Sequence, residues 1–270
     1  MRKRLQLAMT IITLLAAAVT SYAFTIEDKY IGADPTHGWA HTDVIGEPKY
    51  YDIAGMNVKT VGTSMTVDII TSFVSQTSSS AIWDEQTHIG DLFVGTGGWN
   101  PKGSAPYLND NASTSGTKWE YVVVLSPHVP MKSGDPVKKG SAIVYSTKDG
   151  KSVMSNVGTL SESSWVYRAG QYVQFTPNAN ANALYTGTWD ITDNAFIKDG
   201  INYGDLQINF DYSKITAAGS DWAFHWAMTC ANDVIEGQTK VPPVPEPATI
   251  SLLLGGLFSL AVYGRKRMKS

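Results

Sequence analysis

The chain has 270 residues, a formal net charge of −3 and one cysteine, Cys230. A single thiol excludes an intramolecular disulfide framework, so stability has to come from a hydrophobic core, which this length can supply. The acidic balance argues against a nucleic-acid partner, because phosphate backbones are held by basic surface.

In chain order, Arg2, Lys3 and Arg4 precede an apolar run from Leu5 to Val19 and then the small-x-small tripeptide Ser21-Tyr22-Ala23. That pattern predicts a signal peptide over 1–23, cut by signal peptidase, with mature protein starting near Phe24. The body, 24–239, is poor in amphipathic helical stripes and rich in period-two runs. In the segment from Met65 to Phe73 the odd positions are mostly apolar, while Asp68 and Ser72 point the other way. Leu206, Ile208, Phe210 and Tyr212 alternate with polar residues, as do Trp222, Phe224, Trp226 and Met228 with His225 and its neighbours. Such alternation predicts strands with one buried face. Further strands are expected at 91–94, 119–125, 141–145, 165–168, 172–175 and 183–189, with a short helical connector around 161–164. Turn clusters separate them at 95–103, 109–111, 133–136, 148–150 and 199–200. About ten strands without βα alternation predict an all-β fold, an antiparallel two-sheet sandwich of jelly-roll or concanavalin-like type.

Two tetrapeptides echo each other, Ile89-Gly90-Asp91-Leu92 and Tyr203-Gly204-Asp205-Leu206. In each, Gly permits a tight turn into the strand and Asp is expected to bond nearby backbone amides.

After the body comes a Pro-rich linker, 240–247, an apolar run, 248–264, and a basic end, 265–270. Seventeen helical residues span roughly 25 Å, just enough to cross a bilayer. Basic residues beyond it favour a cytoplasmic end, leaving the body outside. The two ends hold seven of the 21 basic residues but only Glu246 of the 24 acids, so the exported part carries a net charge of −9. Such a surface suits solubility outside the cell and would attract divalent cations.

The tail, with its Val244-Pro245-Glu246-Pro247 core, apolar helix and terminal Arg265-Lys266-Arg267, resembles a PEP-CTERM sorting signal. Membrane-embedded exosortases of Gram-negative bacteria read and remove that tag. Within the body, Asp28-Lys29-Tyr30-Ile31-Gly32, His37-Gly38 and Asp43-Val44-Ile45-Gly46 resemble the opening of a group of PEP-CTERM surface proteins. Gly90-Asp91-Leu92-Phe93 and the closing run from Phe224 to Gly237 resemble later landmarks of that group. The closing motif has Gly after its cysteine where this chain has Ala231, a residue that resists a left-handed turn. The resemblance implies an exosortase substrate that passes through an inner-membrane intermediate to the cell surface or extracellular matrix. Pro245, Glu246 and Pro247 would be the processing motif, and Arg265, Lys266 and Arg267 the stop signal.

Few residues point to chemistry. His225, Cys230 and Asp233 suggest a metal, but period-two counting puts His225 and Cys230 on opposite faces, and zinc needs three or four converging ligands. His37 and His41 are spaced for a helix that Pro35 and Gly38 oppose. Asp84-Glu85 with Asp91, and Asp190, Asp193, Asn194 and Asp199, are oxygen clusters of the kind calcium takes; turn capping explains them without an ion. Asp84 and Glu85 are adjacent and would face opposite ways on a strand, so they do not form a glycosidase pair. The chain has no Gly-x-Ser-x-Gly elbow. Of its eight tryptophans, Trp165, Trp189, Trp222 and Trp226 are expected in the core. Trp99, Trp39 and Trp83 lie near loops and are candidates for stacking on sugar rings, Trp99 first. The reading that follows is a non-enzymatic surface or matrix protein. The alternatives are a lectin-like carbohydrate-binding module acting on exopolysaccharide, with or without calcium, and a secreted polysaccharide hydrolase.

Overall fold

The computed structural model describes residues 21–35, 38, 41–75, 87–128, 137–147, 153–155, 168–177, 181–217, 219–243 and 255–256. Outside them lie most of the expected signal peptide, the Pro-Glu-Pro motif, the basic end, all of the apolar tail but Gly255-Gly256, and the expected elements at 161–167. Among the described residues no helix is long and apolar enough to cross a membrane.

The described strands are β1 (Ser21–Ile26), β2 (Ile53–Val61), β3 (Ser64–Thr71), β4 (Leu92–Gly95), β5 (Tyr121–Ser126), β6 (Lys139–Ser146), β7 (Val153–Ser155), β8 (Gln174–Thr176), β9 (Ala183–Lys198), β10 (Ile201–Asp211), β11 (Asp221–Ala227) and β12 (Val234–Lys240). Two helical pieces accompany them, α1 (Pro48–Tyr51) and a 3-10 turn at Phe73–Ser75. The all-β antiparallel class therefore holds. Ten strands form one sheet in the order β1-β2-β3-β10-β9-β6-β5-β4-β11-β12, and β7 and β8 form a separate pair. Two facing sheets were expected; the principal ladder is instead one sheet that curls until its edge strands approach. At that seam a Cβ on Gly237 would lie 2.6 Å from Ile26 Cγ2. Alternation alone does not distinguish the two forms, since a sandwich and a curled sheet both bury every second residue.

The inward residues obey the period-two reading. Leu206, Ile208 and Phe210 of β10, with Trp222, Phe224 and Trp226 of β11 and Met228 beyond it, are buried in one cluster that also takes Met65, Val67 and Ile69 of β3 and Cys230. Each such side chain contributes about 1.5–3 kcal/mol by leaving water. Outside, β2, β3 and β10 carry a polar face, where Asp68 takes bonds from Lys59 and Gln207.

The outer face of β4, β5 and β11 is covered instead. Phe93, Val122 and Ala223 pack against Trp119 and Phe175, while Ala227, Ala231 and Val234 pack against Tyr30 and Val173. This second layer is built from residues 27–35, 96–119 and 168–177, joined by backbone bonds such as Ala33 N to Asp110 O and Ala112 N to Gly170 O. A Cβ on Gly90 would overlap the Ala227 carbonyl oxygen and crowd that of Val173; only Gly fits between sheet and cover. Gly204 is different: it sits inside β10 at a break in register with β9, not in a turn.

Candidate functional site

The residues with chemical capacity gather in three places. The first follows from β11: with Trp222, Phe224 and Trp226 inward, His225 must point outward, and there the second layer buries it completely. Glu236 lies directly across on β12. His225 Nδ1 is 2.8 Å from Glu236 Oε2, and its Nε2 is 2.6 Å from the Tyr172 carbonyl oxygen. A carbonyl only accepts, so Nε2 carries a proton, and Nδ1 and Oε2 share another. Glu236 Oε1 accepts the Trp99 indole N–H at 2.6 Å. Burial raises the Glu236 carboxyl, and the bonds from His225 and Trp99 oppose that. Every ring nitrogen and carboxylate oxygen of the pair is engaged, so it ties the cover to the sheet and offers solvent no base.

Asp91 forms the second. It is fully buried and accepts from Leu125 N at 2.9 Å and Phe175 N at 2.8 Å. His128 Nε2 stands 2.8 Å from its Oδ1. Burial alone would lower the His128 imidazole; the bond to Asp91 and its charge together outweigh that and raise it.

The third is a group that sequence reasoning did not find as such. Carboxylate oxygens of Asp28, just after β1, Asp43, before α1, and Asp233, just before β12, all lie within 4.8 Å of one another. Asp233 is fully buried, Asp28 partly so and Asp43 exposed. Asp233 accepts from Ile53 N at 2.6 Å and Val234 N at 2.8 Å, while Asp28 Oδ1 is buried without a hydrogen-bond partner. Asp52, bonded by the Tyr203 hydroxyl, adds charge nearby. Burial raises Asp28 first, then the charges of Asp233, Asp43 and Asp52. Burial likewise raises Asp233, with Asp43 next. Buried Arg168 braces the group from behind, donating to the carbonyls of Thr42 and Asp43 at 2.7 and 2.9 Å. Three carboxylates so placed either share protons or meet a hard cation, whose ligand bonds of about 2.3–2.6 Å suit such a spacing.

The expected site residues are scattered by comparison. Trp99 is half-buried, edge-on to Tyr107 at 4.9 Å between ring centroids, with its backbone N–H on Gln238. Of the calcium candidates, Asp91 is taken up by amides. Asp190 is exposed on β9, Asp193 pairs with Lys138, and Asp199 makes the β9–β10 turn at positive φ. His225 and Cys230 do lie on opposite sides of the sheet. Trp39, Trp83, Asp84, Glu85, His37, Pro245, Glu246, Pro247, Arg265, Lys266 and Arg267 fall outside the described residues. The missed group joins residues far apart in sequence: Asp233 had been considered as a metal ligand, but with His225 and Cys230, and only the resemblance runs had marked the stretches around Asp28 and Asp43. Comparison with protein-family models, curated proteins and solved structures finds no match to this chain.

Proposed function

We propose that the chain is an exported, non-enzymatic surface or extracellular-matrix protein whose C-terminal segment is an exosortase-type sorting signal. One observation carries this reading: the folded body completes itself just before the Pro-Glu-Pro motif. The last strand ends at Lys240, Val241 is buried and donates to Ser220 O at 2.7 Å, and the Tyr212 hydroxyl reaches Pro242 O at 3.5 Å. Cleavage near 245–247 would leave all twelve described strands intact. The engaged state of His225, Glu236 and Asp91 also favours a binding or structural role over catalysis. Deleting residues 245–247 in the native host is expected to leave full-length protein in the inner membrane. Mature-size protein at the surface of that strain would overturn the reading.

A second reading, a carbohydrate-binding module built on the curled sheet, is favoured by Trp99, which stays partly open on the β4–β5 loop beside Tyr107. Calcium support would fall to Asp28, Asp43 and Asp233. A glycan array of the mature domain with and without chelator tests it; no binding in either condition removes it.

A further inference from the structure

Neighbouring strands in the ten-stranded sheet are antiparallel throughout. Chain direction therefore alternates around the curl, and with an even number of strands the two edges, β1 and β12, run in opposite senses. They are neighbours across the seam, where Ile26 meets Gly237. The start of β1, Ser21, and the end of β12, Lys240, must then lie at the same end of the body. The β2–β3 turn is there too, because Tyr212 donates to Gly62 O at 3.0 Å and also reaches Pro242 O. At the opposite end are Asp28, Asp43 and Asp233 and the β9–β10 arm, whose strands ladder only with each other beyond Asp190 and Gly204.

We infer that the membrane-anchored form stands on the Gly62–Tyr212 end of its curled sheet, with the β9–β10 arm and the Asp28–Asp43–Asp233 group facing away from the bilayer. This rests on the tail being membrane-inserted, as proposed above. The linker decides how firm the orientation is. Residues 243–247 reach at most about 18 Å when fully extended, and their prolines make them stiff. The eleven residues of β10 cover about 36 Å at roughly 3.3 Å each. So short a tether does not let the body turn end over end against the membrane. The surface met by the lipid headgroups is thus the β2–β3 turn with the exposed segment Ser213–Lys214, and the arm, with Ile197 69% exposed at its tip, is offered to whatever lies outside.

The test uses the chain from Phe24 onward, as it stands once the leader is removed, in phosphatidylcholine vesicles doped with a headgroup-labelled acceptor lipid. A donor dye is placed through Ser213→Cys or Ile197→Cys; native Cys230 is buried and stays unlabelled. Lys214→Cys serves where Ser213→Cys fails to fold. Energy transfer to the lipid is expected to be at least twofold greater from position 213 or 214 than from 197. Equal or reversed transfer, with the protein still floating with the vesicles, overturns the orientation and leaves the sorting reading intact. Protein that does not float with the vesicles overturns the membrane-inserted tail and the orientation with it.

Discussion

Asp91 and Asp233 are both fully buried, and each accepts two backbone N–H groups, Leu125 and Phe175 for one, Ile53 and Val234 for the other. They differ in the third neighbour. Asp91 faces His128, whereas Asp233 faces Asp28 and Asp43. Burial removes water from both alike, so the sign of that neighbour decides whether the carboxylate welds the fold or stresses it. At Asp91 three chain segments converge on one anion; at Asp233 like charges converge instead.

The largest expected effect tests the weld. Asp91→Ala strands two buried amides and His128, each lost partner costing about 1–3 kcal/mol. With each near the lower part of that range the sum is roughly 3–5 kcal/mol, which corresponds to a fall in Tm of about 10 °C for a domain of this size. Asp91→Asn keeps one acceptor and is expected to lose less. Thermal and urea unfolding would break the comparison if Asp233→Asn proved as damaging as Asp91→Ala.

The next tests the stress. Asp28, raised to about 10, holds its proton more tightly folded than unfolded. Its contribution is therefore fully present below the ordinary carboxylate range and is lost as pH rises toward the folded value. Asp28→Asn has no such proton to lose. It is expected to match the wild type near pH 4 and to exceed it by roughly 1–3 kcal/mol at pH 8 in chelator. If calcium raised the wild-type Tm and not that of Asp28→Asn, the group would be a cation site and the contrast with Asp91 would be one of partner, not of strain.

These opposed environments explain how much was legible beforehand. Period two is local, so the inward rows of β3, β10 and β11 and the opposite facing of His225 and Cys230 could be read from spacing. The cover over β11 is not local: His225 is buried by Tyr172 and by a tryptophan more than a hundred residues earlier. Asp91 looked like a turn residue or calcium ligand, yet its donors lie 34 and 84 residues away. Asp205, its counterpart in the other tetrapeptide, has an oxygen without a hydrogen-bond partner among the described residues and is raised to about 6, first by burial and then by Asp68. Three matching letters, Gly-Asp-Leu, gave two different environments. β2 and β12 were missed because Gly55 breaks the alternation at the start of one, and the other, with Glu236, Gly237, Gln238 and Lys240, carries too few apolar residues to show a period and is completed by tertiary pairing.

A smaller effect sharpens the Asp91 side. His128 is raised by Asp91 against the pull of burial, so its contribution is present below its unfolded value and lost as pH rises through the folded one. His128 is expected to add about 1 kcal/mol or less to the wild type's loss across neutral pH, the scale of a single net hydrogen bond. His128→Gln would make that part of the profile less steep, measured as urea midpoints in steps of pH, while leaving the loss caused by Asp28, which runs from the carboxylate range upward.

The smallest concerns the turn that delivers Asp233. Ala231 holds φ +47, donates to Met228 O at 2.7 Å and buries its methyl beside Tyr30 and Val173. Left-handed backbone costs a residue with a Cβ about 1–2 kcal/mol. Ala231→Gly would relieve that, but glycine loses about 0.5–1 kcal/mol more chain entropy on folding, and the vacated methyl forfeits about 0.8 kcal/mol of burial. These terms nearly cancel, so Ala231→Gly is expected within about 0.5 kcal/mol of the wild type by urea unfolding. Ala231→Val, whose branched Cβ fits neither the dihedral nor the space, should cost far more. The tight turn thus survives without glycine because its methyl fills the cover, and Asp233 is held against its like-charged neighbours by packing as much as by hydrogen bonds.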